Sequence, residues 1–293
     1  MYAFPGGSQP GHHGAMIDPL LDITTEVRAR IPAPPQEGVT QLLGCDEGYG
    51  LFRDARGLHH RPLAQITATE GPWDLSPLID HTLLKADATG PQVEALCAEA
   101  LRHGFASVCV NPLWVPLAAS LLKGSPVRTC TVVGFPLGAS APRAKAFEAE
   151  VALKDGAQEV DMVLAIGAAK SGDWKAVQRD LENLRTAVPA PGVLKVILET
   201  CLLDDAEKIR ACEMALEAGL DFVKTSTGFS TGGATEADVA LMRRVVGARV
   251  GVKASGGIRT YEAALRMVLA GATRLGLSAS VAVVQGVVGT GAY

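Results

Sequence analysis

The chain has 293 residues, 48% of them hydrophobic, and its formal net charge of -4 comes without a basic block, which argues against nucleic acid as a main partner. No apolar run approaches the roughly 20 residues that span a bilayer, and the N-terminus lacks the basic start and apolar core of a signal peptide. Since the six cysteines form no C-x-x-C pair, we expect a soluble cytoplasmic protein with free thiols and no membrane partner.

Residues 1–75 form an extension whose composition differs from that of the remaining chain. Residues 1–16 are rich in Gly, Pro and His, which predicts disorder. Residues 17–31 have the spacing of a short amphipathic helix, and short apolar stretches within residues 39–66 predict a small hairpin. No chemistry can be inferred from this extension, so it is assigned no function.

From Ser76 onward, short β-branched runs alternate with helical stretches rich in Ala, Glu and Leu. The predicted strands are Leu78–Leu84, Ser107–Val110, Arg128–Phe135, Glu159–Ala165, Val193–Glu199, Phe222–Thr227, Val250–Ala254 and Arg274–Leu277. The predicted helices are Pro91–His103, Pro112–Lys123, Arg143–Asp155, Trp174–Ala187, Asp204–Ala218, Glu236–Val246, Tyr261–Ala270 and Val281–Val288. Eight strand–helix units predict an α/β fold, a parallel (β/α)8 barrel over residues 76–293. An open doubly wound sheet is the alternative, which the missing G-x-G-x-x-G turn disfavours.

Two lysines lie within apolar runs of successive predicted strands, Lys224 in the sixth and Lys253 in the seventh. In a barrel of this type the strands' C-terminal ends meet at one mouth, where Asp161 of the fourth strand would join them. A free lysine has a pKa of about 10.4, and a second ammonium together with burial disfavours the charged form. We therefore predict that one amine is neutral and attacks a carbonyl, while the other lysine and Asp161 relay protons. The alternative is that each lysine extends into solvent at its strand end.

Two other polar residues of the predicted strands are interpreted as structural. Lys195 lies near the start of the fifth strand, which favours an ion pair inside the barrel, although it could also join the charge network. His81 of the first strand is interpreted as a supporting group rather than a general base. Separately, the chain's six histidines lack metal-ligand spacing, which disfavours a metal site.

Small residues follow the last two predicted strands, as Gly256-Gly257 and as Gly276-Leu-Ser278. In barrels of this type the loops after strands seven and eight form the usual phosphate site, built from backbone N–H groups. The pattern therefore predicts a phosphorylated substrate. Gly232-Gly233, after the sixth strand, could belong to the same mouth.

Seven segments, in order along the chain, resemble the 2-deoxy-D-ribose-5-phosphate aldolase family. They are LIDHTLLKADAT (78–89), SVCVNP (107–112), VVGFPLG (132–138), EVDMV (159–163), LKVILET (194–200), DFVKTSTGF (221–229) and VKASGGIRT (252–260). The resemblance runs from about Leu78 to the C-terminus and leaves the extension unmatched.

The resemblance implies a class I aldolase that uses a lysine Schiff base and needs neither a metal nor another cofactor. Lys224 matches the family's Schiff-base lysine, Lys253 the lysine that perturbs it, and Asp161 the proton-relay aspartate. The positions that match residues lining the pocket or contacting the substrate and its phosphate are Asp80, Thr82, Thr227, Gly228, Gly256, Gly257, Gly276 and Ser278.

The implied reaction joins acetaldehyde and D-glyceraldehyde 3-phosphate reversibly into 2-deoxy-D-ribose 5-phosphate, in deoxyribonucleotide catabolism. The resemblance also favours a homo-oligomer, with a dimer as the first expectation. In some family members a tail ending in tyrosine reaches the site, and Tyr293 is the candidate here. Two alternatives stay open: a related Schiff-base aldolase for another phosphorylated sugar, and an idle barrel that only binds a sugar phosphate or a protein.

Overall fold

The computed structural model describes residues 40–46, 49–54, 57–62 and 73–289. The disorder expected for residues 1–16, the helix expected for residues 17–31 and the position of Tyr293 lie outside these residues. Within them, no helix combines the length and the apolar character needed to cross a membrane.

A small sheet precedes the barrel. Its strands are β1 (Thr40–Asp46), β2 (Tyr49–Asp54), β3 (Gly57–Pro62) and β4 (Trp73–Asp74), in the order β3-β2-β1-β4. The first three pair antiparallel, whereas β4 pairs parallel with β1. The prediction of a hairpin within residues 39–66 is therefore confirmed.

The following eight strands are all parallel and close into a barrel, with the last strand paired to the first. They are β5 (Ile79–Leu83), β6 (Ser107–Val110), β7 (Arg128–Val133), β8 (Glu159–Val163), β9 (Val193–Ile197), β10 (Phe222–Lys224), β11 (Gly251–Ser255) and β12 (Arg274–Leu277). The predicted (β/α)8 barrel is confirmed. Strands β7 to β10 end two or three residues earlier than predicted. The apolar or small residues that follow them, such as Leu164 and Leu198, are buried in the loops instead.

Helices alternate with these strands. They are α1 (Gly90–His103), α2 (Val115–Leu122), α3 (Pro142–Lys154), α4 (Ile166–Lys170), α5 (Trp174–Ala187), α6 (Asp205–Glu217), α7 (Glu236–Val246), α8 (Tyr261–Leu269) and α9 (Ser280–Val284). The short α4 was not predicted. The predicted helix Val281–Val288 ends at Val284, and Pro112–Trp114 forms a 3-10 turn before α2.

The helix ends follow the capping chemistry of their sequences. The Asp204 side chain accepts a hydrogen bond from the Glu207 N–H, and that of Thr260 accepts one from the Ala263 N–H. Gly219 and Gly271, just after α6 and α8, have positive φ angles of 69° and 116°. These caps fix where each helix starts and stops against its strand.

Alternation along the strands separates an apolar layer from a polar interior. Outward-facing residues such as Val160, Val196 and Val252 are buried against the helices in the main core. Many inward residues are instead polar or charged, although Cys109, Cys130 and Val132 belong to a small second apolar cluster. The register places Lys224 directly beside Lys253 on the neighbouring strand and Asp161 beside Lys195, so the fold itself brings these charges together.

Candidate active site

Each of the eight barrel strands contributes at least one ionisable side chain to the interior. In strand order these are Asp80, Cys109, Cys130, Glu159 with Asp161, Lys195, Lys224, Lys253 and Arg274. All except Arg274 are buried residues, and only 15% of the Arg274 side chain is exposed. Buried charges are costly unless they are paired, so the contacts among these groups decide how the interior is stabilised.

Asp161 lies at the centre of this network. Its Oδ2 atom accepts hydrogen bonds from Lys224 Nζ at 2.8 Å and from Lys253 Nζ at 2.7 Å. Its Oδ1 atom accepts one from Lys195 Nζ at 2.7 Å and lies 3.3 Å from the Cys130 thiol. The three residues predicted as catalytic are therefore in direct contact, and the two lysines share one carboxylate oxygen.

A second carboxylate, Asp80, holds Lys253 from the other side. Lys253 Nζ donates to Asp80 Oδ2, while Asp80 Oδ1 accepts from Arg274 Nη1 at 2.6 Å and from Ser107 Oγ at 2.7 Å. Asp80 has no exposed surface. Asp80 was predicted to line the substrate pocket, and its side-chain hydrogen bonds in this structure are with Lys253, Arg274 and Ser107.

Glu159 completes the network near the N-terminal ends of the strands. Its Oε2 atom lies 2.6 Å from Lys195 Nζ and accepts a hydrogen bond from Arg274 Nη1 at 3.1 Å. Lys195 thus contacts both Glu159 and Asp161, which confirms the prediction of an ion pair inside the barrel and also links Lys195 to the site.

The cations keep all three carboxylates ionised. Burial raises the pKa of Asp161, but Lys195, Lys224 and Lys253 outweigh it and hold that pKa well below its ordinary range. Burial likewise raises the pKa of Asp80 and of Glu159, and Arg274 is the largest of the opposing charges that bring both below their usual values.

The carboxylates in turn keep two of the lysines charged. Burial lowers the pKa of Lys253, but Asp161 and Asp80 more than compensate and raise it above the ordinary value. The pKa of Lys195 is raised by Asp161, Cys130, Glu159 and Asp80 against the same effect of burial. Both amines are therefore ammonium ions at neutral pH.

Lys224 differs from the other two lysines in exposure and in partners. It contacts the single carboxylate Asp161, and 3% of its side chain is accessible, whereas Lys195 and Lys253 have no accessible surface. The interior holds four basic side chains, Lys195, Lys224, Lys253 and Arg274, against three carboxylates, Asp80, Glu159 and Asp161. Charge balance is reached when one amine is neutral, and Lys224 is the one that a small molecule can reach.

Glycines around the mouth allow backbones to approach closely. A Cβ atom added at Gly233 would lie 2.3 Å from the carbonyl oxygen of Gly256, which accepts a hydrogen bond from the Ala234 N–H at 3.0 Å. Gly228 and Gly256 have positive φ angles of 87° and 88°. The loop after β10 therefore packs directly on the turn after β11.

Gly276, which was predicted to contact the substrate or its phosphate, also has a steric role. An added Cβ would lie 3.0 Å from Lys253 Cε and 2.9 Å from Ser255 Cβ. The absence of a side chain here makes room for Lys253. Of the other predicted substrate contacts, Gly257 is exposed, Ser278 is half-buried, and Thr82 is buried with its hydroxyl donating to the Asp80 carbonyl at 2.8 Å.

Thr227, three residues after Lys224, is held by a carboxylate that sequence reasoning did not identify. Glu199 follows β9, is buried, and accepts hydrogen bonds from the Thr227 hydroxyl and N–H. It is also the one non-glycine residue with a positive φ, 58°, among residues that the structure describes. No local pattern signals this role, because the contact joins two separate loops.

Three more network members, Glu159, Arg274 and Cys130, were also not predicted. Glu159 and Arg274 each open a strand, where a charged residue ordinarily reaches solvent. By contrast, His81 is a supporting group as predicted: its ring contacts Ser280 Oγ and Glu99 Oε2, both at 2.8 Å. Burial lowers its pKa, which favours the neutral ring.

Comparison with known proteins matches residues 76–289 to the DeoC/LacD family aldolase model. A deoxyribose-phosphate aldolase from Geobacillus sp. (strain WCH70) is 56% identical over 213 residues, which cover 73% of this chain and 96% of that protein. One from Listeria monocytogenes serotype 4a (strain HCC23) is 58% identical over 212 residues, covering 72% of this chain and 95% of that one.

A solved structure shares the architecture. The tetrameric deoxyribose phosphate aldolase from Aeropyrum pernix superposes with a TM-score of 0.68 at 36% sequence identity. The alignment covers 72% of this chain and 89% of that chain. The sequence comparisons and the structure comparison therefore agree on the fold of the barrel and on its family.

Proposed function

Because the chain belongs to the DeoC/LacD family of aldolases, and is thus a carbon–carbon lyase, we propose that it reversibly cleaves 2-deoxy-D-ribose 5-phosphate. The products are acetaldehyde and D-glyceraldehyde 3-phosphate. The observation that carries the proposal is the contact of Lys224 and Lys253 with one oxygen of Asp161, with only Lys224 accessible among the three lysines. The names of the two bacterial relatives support the choice of substrate.

In the proposed mechanism, the neutral Lys224 amine attacks the aldehyde carbon of the open-chain sugar. Loss of water gives an imine, which is charged when protonated and accepts the electrons released at the next step. Asp161 takes the proton of the hydroxyl on the third carbon, the bond between the second and third carbons breaks, and the triose phosphate leaves as an aldehyde. An enamine remains on Lys224.

Asp161 and Lys253 then complete the reaction by moving protons. Asp161, which shares this proton with Lys253 through their 2.7 Å contact, returns it to the enamine carbon. Water then hydrolyses the imine and releases acetaldehyde. The synthetic direction runs the same steps in reverse.

The substrate phosphate is assigned to the loops after β11 and β12. Gly256, Gly257 and Gly276-Leu-Ser278 lie at the positions that bind phosphate in barrels of this type. Small residues leave backbone N–H groups open to an anion at such sites. Thr227 and Gly228 would contact the sugar carbons between the phosphate and Lys224, and Thr82 would lie near the bound aldehyde.

Borohydride trapping tests the Schiff base directly. Incubation with acetaldehyde and borohydride should leave a reduced ethyl group on Lys224, mapped by mass spectrometry of the digested protein. Lys224→Leu should lose both the adduct and turnover, while Lys175→Leu, at an exposed lysine, should keep both. An adduct-free Lys224, or full turnover in Lys224→Leu, would refute the mechanism.

A substrate panel separates the proposal from an aldolase with another donor. Acetaldehyde release from 2-deoxy-D-ribose 5-phosphate should exceed release of a ketone donor from other sugar phosphates. Preference for a ketone donor would favour the alternative, and binding without cleavage would favour a non-catalytic barrel.

We further place the reaction in the catabolism of deoxyribonucleotides in the cytoplasm, and we expect a homo-oligomer, first of all a dimer. The tetrameric relative from Aeropyrum pernix supports an oligomer without specifying a dimer. Light scattering on the purified chain measures the state, and a monomeric mass would contradict the expectation.

A further inference from the structure

The barrel interior around Lys224 contains more titratable side chains than the two, Lys253 and Asp161, that are assigned to catalysis with it. The titratable groups, strand by strand, are Asp80, Cys109, Cys130 with the partly exposed Arg128, Glu159 with Asp161, Lys195, Lys253 and Arg274, and Glu199 follows β9 at the mouth. Glu159 and Arg274 are the first residues of β8 and β12, whereas Lys224 is the last of β10.

We infer that Glu159 and Arg274, at the N-terminal ends of β8 and β12, set the proton balance of the interior and so the fraction of Lys224 that is uncharged. This inference rests on the proposed Schiff base at Lys224. Both residues act through others and are positioning residues, since neither contacts Lys224.

Two chains of contacts connect them to Lys224. Arg274 Nη1 binds Asp80 Oδ1 at 2.6 Å, the other oxygen of Asp80 holds Lys253, and Lys253 shares Asp161 Oδ2 with Lys224. Glu159 binds Lys195 at 2.6 Å, and Lys195 binds Asp161 at 2.7 Å. Every link lies in the interior, where water screens charges weakly.

The charge count gives the direction of each effect. Arg128 contacts Glu159 at 3.6 Å, but 26% of its side chain is exposed, so water screens its charge and it is left out of the count. The buried interior has four basic groups and three carboxylates, so it is neutral when one amine has lost its proton. Removing Arg274 leaves three basic groups and three carboxylates. That interior is neutral with every lysine charged, so Lys224 should keep its proton. Removing the Glu159 charge leaves four basic groups and two carboxylates, so Lys224 should lose its proton more readily.

The thiol of Cys109 could lose a proton in place of Lys224. A hydrogen bond with Cys130 lowers the pKa of the Cys109 thiol, whereas burial raises the pKa of the Cys130 thiol. A Cys109→Ala background removes this route, so the inference requires the effects of Glu159 and Arg274 to persist there.

The test measures the rate of borohydride trapping of acetaldehyde on Lys224 as a function of pH. In Glu159→Gln, the acid side of the curve of trapping rate against pH should move to lower pH by about one unit. In Arg274→Met it should move to higher pH by a similar amount. Each shift corresponds to roughly a tenfold change in trapping rate at a fixed pH. Glu182→Gln, the same change at an exposed carboxylate on α5, should leave the curve in place.

The double variant Glu159→Gln/Arg274→Met restores the original balance and should return the curve to the wild-type position. A purely structural role predicts the opposite, because two lesions would then add. The inference is overturned if the two single variants shift the same way or not at all, or if the double variant is displaced. Where one single variant does not fold, the other still decides, because its curve must be displaced in the stated direction and the double variant must return it to the wild-type position. Absence of trapping in the wild-type chain would instead refute the proposed function.

Discussion

Lys224 and Lys253 are neighbours in register but differ in their surroundings. Lys253 lies between two carboxylates and is fully buried, whereas Lys224 contacts one and is accessible. From the sequence the two lysines were equivalent, and only the family resemblance assigned their roles. The contacts supply a physical reason for that division, because a nucleophile must be reachable and a proton donor must stay charged.

The hydroxyl of Thr227 is oriented by its neighbours. It donates to Glu199 and accepts from the Phe229 N–H at 3.0 Å. A hydroxyl has one proton and two lone pairs, so a single acceptor position remains. Thr227 can therefore accept a hydrogen bond from a substrate hydroxyl but cannot donate one to a carbonyl.

Glu199→Gln should raise KM for the phosphorylated sugar by roughly tenfold, because the charged acceptor that orients Thr227 is lost. The rate of borohydride trapping with acetaldehyde, which has no such hydroxyl, should be unchanged. Steady-state kinetics and trapping on the same preparation make the comparison. An equal fall in both would indicate general damage to the site, and Thr227→Ser, which keeps the hydroxyl, serves as the control.

Sequence reasoning identified Lys224, Lys253 and Asp161, because charged residues in apolar runs are anomalous wherever they occur. It missed Glu159 and Arg274, since a charge at the start of a strand is ordinarily solvated and nothing nearby shows that it turns inward. Glu199 was missed because its carboxylate acts on a residue 28 positions away. Local anomalies were predictable, whereas roles created by contacts between distant segments were not.

At the scale of elements, the pairing of β11 with β12 leaves a space for one side chain. Ser255 lies beside Gly276 in the register, and Lys253, two residues earlier, extends past Gly276 toward Asp80. The glycine was expected to contact phosphate. The structure adds a steric requirement that holds whatever ligand is bound.

Gly276→Ala should lower kcat by roughly tenfold or more. The new Cβ atom would lie 3.0 Å from Lys253 Cε and push that side chain aside, and small displacements are costly in a preorganised site. Gly167→Ala is the matched control, since a Cβ at this residue of α4 meets no atom within 4 Å. Turnover measurements on both variants decide the matter. Unchanged kcat in Gly276→Ala would show that Lys253 can move without loss.

The elements also explain where strand predictions stop being accurate. The buried segment that begins with β10 continues through the polar residues Thr225, Ser226 and Thr227, although the strand itself ends at Lys224. The residue types at these positions are selected by burial rather than by strand geometry. Their pattern predicts an extended segment but not the point at which it leaves the sheet to form the mouth.

For the whole molecule, the ion network makes stability depend on pH. The pKa values of Asp80, Glu159 and Asp161 are lower in the folded chain than in the unfolded chain. Their stabilisation is therefore present above the unfolded value of about 4 and is lost as the pH falls through the folded values. Each such group steepens the acid loss of stability by about 1.4 kcal/mol per pH unit below pH about 4.

Asp161→Asn should accordingly make that acid slope shallower by about 1.4 kcal/mol per pH unit, because one carboxyl no longer binds a proton on unfolding. Urea unfolding followed by circular dichroism between about pH 2.5 and about pH 7, a range that includes the unfolded carboxyl pKa values of about 4, measures the slope. Glu182→Gln, at an exposed carboxylate, should leave it nearly unchanged. Equal slopes in Asp161→Asn and the wild type would contradict the assignment.

The inward-facing charges have a further consequence for how the barrel assembles. Side chains alternate between the two faces of a strand, so a slip of one residue exchanges the two sets. In β8 such a slip would move Asp161 among the apolar helices and bring Val160 among the lysines. Six of the eight barrel strands carry an inward-facing charged side chain, so a slip of one residue is penalised at each of those strands. The residues proposed to transfer protons therefore also disfavour misaligned closures of the barrel, so the proposed chemistry and the fidelity of folding depend on the same side chains.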